Sequence, residues 1–138
     1  MTRFVTAAIF ATMSSAATAE WVVVSVSDGY VAYAAPETIS RVGDLARMDD
    51  MMDLKGPRPS PYGSLHASSR THSEFDCQTA RLRTIAFSLH SGQMGDGEVI
   101  ETVAESARWL SVAPGTLLEV LWKFACASSH ATPERASQ

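Results

Sequence analysis

The sequence predicts an α+β domain, with antiparallel strands in hairpins followed by one C-terminal helix. Three observations carry that prediction. Runs of strand-forming, mostly alternating residues are separated by glycine, proline and aspartate turn signals. Thr116-Leu117-Leu118-Glu119 opens the last apolar run as a capping box. The only two cysteines, Cys77 and Cys126, lie in the middle of the chain and at the end of that last run. In an exported protein the default fate of such a pair is one disulfide joining the two regions.

Trp21 to Val26 is rich in β-branched and aromatic residues and reads as a strand. Ser27-Asp28-Gly29 is a turn signal, and Tyr30 to Ala34 reads as the returning strand of a hairpin. Pro36 to Ile39 is expected to turn the chain, and Arg41 to Asp44, with Gly43, to form a second tight turn. Ala46 to Lys55 fits two patterns. Its propensities favour a helix, while the hairpin before it favours a strand. Gly56 to Gly63 carries Pro57, Pro59 and Pro61 and is expected to be an extended loop.

Ser68 to Cys77 alternates. Ser69, Thr71, Ser73, Phe75 and Cys77 share one face, and Arg70, His72, Glu74 and Asp76 the other. Arg81 to His90 alternates as well, with Leu82, Thr84, Ala86 and Ser88 opposing Ile85, Phe87 and Leu89. The two runs form a second hairpin. Glycines 92, 95 and 97 break the chain before a further strand at Val99 to Ala104. In the final helix, Leu117, Val120, Leu121, Phe124 and Ala125 fall on one face. An isolated helix of about ten residues is marginal in water, so this one must dock. Met48, Met51 and Met52 read as core, and Trp109 and Trp122 as core or close to it.

Residues 1–19 read as a signal peptide: Arg3 in the n-region, a mostly apolar run from Phe4 to Met13, and Ala17-Thr18-Ala19 as the cleavage pattern. The expected cut falls between Ala19 and Glu20. The apolar run is too short to span a bilayer. No cysteine stands near the cut, so neither lipid attachment nor any stable membrane anchor is expected in the mature chain. The domain is expected over 20–127, with 128–138 as a flexible tail. Removing Arg3 leaves ten basic against fifteen acidic residues. That mildly acidic balance, without a basic run, argues against nucleic acid as a partner.

The best chemical candidate is the row His72, Glu74 and Asp76. An imidazole and two carboxylates are the groups that hold a divalent metal or move a proton. Residues two apart on a strand form a nearly straight row, which cannot close a tetrahedral shell alone. A solvent-facing row, its charge screened by Arg70, is the favoured reading. Met94 to Glu98 has two carboxylates on a glycine-rich loop but lacks the ligands of an EF-hand. Asp49, Asp50 and Asp53 form a small acidic cluster. No nucleophile elbow or redox Cys pair is present, so neither an enzyme nor a cofactor is expected.

Several pieces stand in a distinctive order: Trp21 with its valine strand, Arg41-Val42-Gly43, Arg47-Met48 and Asp53-Leu54-Lys55. Phe75-Asp76-Cys77, Arg81 and Arg83, Trp109, Ala113-Pro114-Gly115-Thr116 and Cys126 follow. This order is similar to the surface-adhesin protein E family of Gram-negative bacteria, over nearly all of Trp21 to Cys126. The resemblance implies a twisted antiparallel sheet of about six strands, with the helix fastened across it by a Cys77–Cys126 bond. It also implies a strand at Ala46 to Lys55. The name-giving adhesin sits on the outer membrane and binds host matrix and serum proteins. The resemblance therefore implies a non-enzymatic binding module with a protein partner, exported to the periplasm or cell exterior. A periplasmic accessory domain without host adhesion is the alternative. The chain departs from the anchored adhesin in lacking its lipobox cysteine, and in carrying Asp49-Asp50 where relatives tend to be apolar or aromatic.

Overall fold

The computed structural model describes residues 20–127. The expected leader over 1–19 and the tail over 128–138 lie outside the described residues. Seven strands form one antiparallel sheet: β1 (Val22–Val26), β2 (Tyr30–Val42), β3 (Leu45–Pro59), β4 (Leu65–Asp76), β5 (Arg81–His90), β6 (Val99–Val103) and β7 (Leu110–Ser111). Strands β1 to β6 pair in sequence order, and β7 pairs with β5 beyond that path. The helix α1 spans Leu117–Cys126. Ala46 to Lys55 is strand, the second of its two readings.

Three expectations need correction. Pro36 to Ile39 does not end a strand. Ala35 pairs with Asp49 and Ser40 with Arg47, so four residues of β2 bulge opposite Met48 alone. Thr38 closes the gap: its Oγ1 donates to the Ala35 carbonyl at 2.7 Å and accepts from the Asp49 amide at 2.8 Å. The bulge drives Ile39 into the core.

Gly56 to Pro59 belongs to β3 rather than to a loop. Tyr30, the first residue of β2, pairs with Leu54, so the end of β3 has a neighbour only in β4. Pro57 and Pro59 are tolerated on that free edge.

The alternation of β5 breaks at Ile85. Ser73 pairs with Thr84 and His72 with Ala86, which leaves Ile85 as a bulge. Leu82 and Thr84 therefore share a face with Phe87 and Leu89, while Arg83, Ala86, Ser88 and His90 take the other.

The helix packs on the sheet face that carries Ala34, Ile39, Ala46, Met48, Phe75 and Leu82, using Leu121 and Ala125. Ala34 and Ala46 are small enough to let it come close. Thr116 caps it as expected, accepting from the Glu119 amide at 3.3 Å. The returning Glu119 carboxylate meets the Gly115 amide at 3.4 Å rather than that of Thr116. At the other end Arg41 donates to the Cys126 carbonyl at 3.2 Å, satisfying one terminal acceptor. Cys77 and Cys126 form a disulfide with their Cα atoms 5.6 Å apart. Trp122 packs against the core, and Met48 and Met51 are fully buried.

Candidate functional site

With one sheet face covered by the helix, chemistry can be presented on the opposite face. Register places Arg47, Asp49, Met51 and Asp53 of β3 on that face, beside Glu74, His72, Arg70 and Ser68 of β4. Arg83, Ala86, Ser88 and His90 of β5 continue it.

His72, Glu74 and Asp76 do share this face, as the alternation predicts, yet each has its own partner. His72 Nδ1 lies 2.6 Å from Asp49 Oδ1, and Arg70 Nη2 lies 2.7 Å from Asp49 Oδ2. An ionised carboxylate only accepts, so Nδ1 carries the proton of that bond. Glu74 is held by Arg47 at 2.9 Å and by Arg83 at 2.8 Å. Asp76 takes Arg81 at 3.1 Å. Among the described residues no three His, Cys, Asp or Glu side chains gather as a metal site.

Glu74 is also buried, where a solvent-facing row was expected. Burial pushes its carboxyl up, but the hydrogen bonds and charges of Arg47 and Arg83 outweigh that and bring it below the ordinary glutamate value. Hydrogen bonds from Thr79, with help from Arg81 and the Gln78 amide, hold Asp76 at about 2.

The three aspartates of the acidic cluster part company. Asp49 lies in the middle of the polar face. Asp53, on the same face, accepts from the Met94 amide at 2.8 Å. Ser68 pins the same glycine-rich loop, donating to the Gly92 carbonyl and accepting from the Gly95 amide. Asp50 points to the helix side, paired in register with Ala34 and Thr71. Burial, and then the charge of Asp49, pushes its carboxyl up to about 7.

Beside Asp49 the sheet leaves a shallow hollow of about 180 Å³, lined by Arg70, His72, Phe87, Ser88 and Thr102 among others. Aromatic rings flank the face. Arg70 stacks over Trp21 at 5.3 Å, and Arg81 and Arg83 stack on Trp109 at 5.1 and 4.7 Å. Trp109 is thus a half-buried platform beneath two guanidiniums, not part of the hydrophobic core around the helix.

At the end of β5, His90 Nε2 lies 2.8 Å from Ser88 Oγ. Their spacing of two on one strand was the available signal. This pair is not a hydrolytic triad. Among the described residues the Nδ1 atom of His90 is buried without a partner, so no acid orients the ring as a triad requires. Burial, seconded by the charge of Arg70, lowers the pKa of His90 and favours its neutral form. The face therefore offers ordered charges, aromatic edges and a small hollow, which are the means of binding.

The family model described as surface-adhesin protein E matches residues 21–127. The chain belongs to the surface-adhesin protein E family. No curated protein matches it. Among solved structures, Haemophilus influenzae protein E in crystal form II is similar at a TM-score of 0.56 and 19% identity, over 75% of this chain and 91% of that one. Protein E from non-typeable Haemophilus influenzae matches at 0.53 and 18%, over 82% and 90%. At that identity the likeness is one of fold. It agrees with a family domain built as an antiparallel sheet with one disulfide-fastened helix. Among the described residues no helix is long and apolar enough to cross a membrane.

Proposed function

We propose that this adhesin-family domain is an exported, non-enzymatic binding module whose contact with a partner protein is made by the polar sheet face. One observation carries the reading. The helix and disulfide occupy the apolar face, so the opposite face keeps its ordered arginine–carboxylate pairs, its two tryptophans and the hollow at His72 and Ser88 available. The charged groups fix orientation, and the aromatic edges supply area at low entropic cost. Export follows from the leader, with cleavage between Ala19 and Glu20. The family name supports an adhesive role at the cell surface. A periplasmic role in the envelope is the alternative, separated by cell fractionation.

Site-specific photo-crosslinking tests the contact. A crosslinker is placed at Ser88 on the polar face, at Val23 on the exposed sheet edge, or at Lys123 on the outer side of the helix. The exported protein is then exposed to envelope, serum and matrix proteins. Adducts from Ser88 alone support the reading. Adducts only from Val23 give the contact to the β1 edge, and adducts only from Lys123 give it to the helix.

A further inference from the structure

Resting on the polar-face reading, we infer that the partner presents an extended acidic segment, with carboxylates on alternate residues, that lies along β4 and β5. The observation is an ordering of charge by depth. In the pairs on this face the carboxylate is the buried member and the guanidinium the exposed one. Arg47 is 48% exposed and Arg83 30%, against 5% for Glu74. Arg70 is 48% exposed against 16% for Asp49, and Arg81 43% against 13% for Asp76. Four arginines therefore lie over the three carboxylates they bond; with Asp53 counted the face is balanced in charge, and what favours an anion is the arginines' outer position rather than any net excess. An approaching carboxylate meets guanidinium before it meets acid.

The buried acids also prepare the arginines for a ligand. A long side chain loses entropy when a partner orders it, and here the carboxylates and tryptophans have already fixed the forks. Each fork keeps N–H groups beyond those bonded to its acid. Arg47 uses Nε on Glu74, and Arg70 uses one Nη2 proton on Asp49.

The spacing selects an extended occupant. Arg81 and Arg83 are two apart on β5, about 7 Å along the strand. Arg70 and Arg81 lie at opposite ends of a stripe six residues long in β4 register, about 20 Å. An extended peptide with acids at every second residue repeats at the same interval of about 7 Å. His72 and Ser88, lining the hollow, fall inside the stripe.

The test titrates the exported protein with a fluorescein-labelled peptide of alternating Glu and Gly, with a Lys-Gly peptide and a sulfated oligosaccharide as comparisons. The expected result is binding of the Glu peptide alone, weakening as salt rises from about 20 to about 150 mM. In Arg47→Gln/Arg70→Gln each acid keeps a partner, since Arg83 still holds Glu74 and His72 still holds Asp49. That variant should bind roughly tenfold more weakly. Ser88→Asp sets a carboxylate directly across from Arg70, its register partner, and should weaken binding as well, while Lys123→Gln should not. No binding of the Glu peptide, or binding indifferent to both face variants, overturns the inference. Capture of the oligosaccharide with the peptide ignored overturns it in favour of a glycan. Ser88 crosslinks to a protein without Glu-peptide binding would sink the acidic segment and leave the polar-face reading standing.

Discussion

Trp122 Nε1 donates to the Asp76 carbonyl oxygen at 2.8 Å, one residue before Cys77 enters its disulfide with Cys126. The helix is thus held at the same end of β4 by a hydrogen bond and a covalent bond. Trp122→Phe keeps most of the ring against the core but leaves the carbonyl unpaired. We expect it to lower stability by about 1 kcal/mol, measured by urea unfolding with the disulfide intact. An unchanged midpoint would show that water replaces the indole without cost.

The disulfide closes a loop across a sequence separation of 49. The chain-entropy estimate for that loop is roughly 4 kcal/mol. Cys77→Ser and Cys126→Ser should each lose stability to a similar degree, and the double variant should be no worse than either. Reduction of the unmodified protein should reproduce the loss. Losses that add in the double variant would mean that each sulfur also contributes through packing of its own.

How much of this was legible in the sequence depended on register. Alternation read β4 correctly because its pairing with β3 is unbroken from Leu45 to Asp53. It failed in β5 because Thr84, Ile85 and Ala86 all suit a strand, and nothing in their types marks the bulge. The prolines of Gly56 to Pro59 announced missing donors, but not that β3 is unpaired on its β2 side there. The helix was readable from Thr116, Glu119 and the apolar spacing, all of which are local. The polar face was not. Arg47 meets Glu74 across 27 residues, and Asp49 meets His72 across 23. Such pairs exist only once the register is set, and no local pattern announces them.

Asp50 should leave a mark on the pH profile. Among the described residues its side chain has no hydrogen bond or ion pair, and burial lifts its carboxyl from 3.8 to about 7. The folded protein keeps this proton after the unfolded chain has lost it. Its favourable effect is therefore full below about pH 4 and declines as pH rises toward about 7, where it levels off. Asp50→Asn should be more stable than the parent at about pH 8 and little changed at about pH 4. The gain is bounded by about 4 kcal/mol at 1.36 kcal/mol per unit. Urea unfolding across that range is the measurement, and a gain independent of pH would contradict the assignment.

Glu74 gives the opposite slope, and removing its arginines should reverse it. In the parent, Arg47 and Arg83 hold its carboxyl below the usual glutamate value. That stabilisation is present above the unfolded value and is lost as pH falls through the folded one. Asp76, held at about 2, acts in the same direction below about pH 4. Arg47→Ala or Arg83→Ala alone leaves Glu74 one guanidinium, so each single variant should cost about 1 kcal/mol. The double variant strands a buried carboxylate and should cost about 3–5 kcal/mol, more than the two single losses combined. With both arginines gone, burial becomes the main influence on Glu74 and raises its pKa. The double variant should then recover part of its deficit as pH falls toward about 5 and the carboxyl takes up a proton, while the parent gains nothing from the same change at this residue. A deficit that stays constant between about pH 8 and about pH 5 would show that the loss comes from arginine packing rather than from the stranded charge.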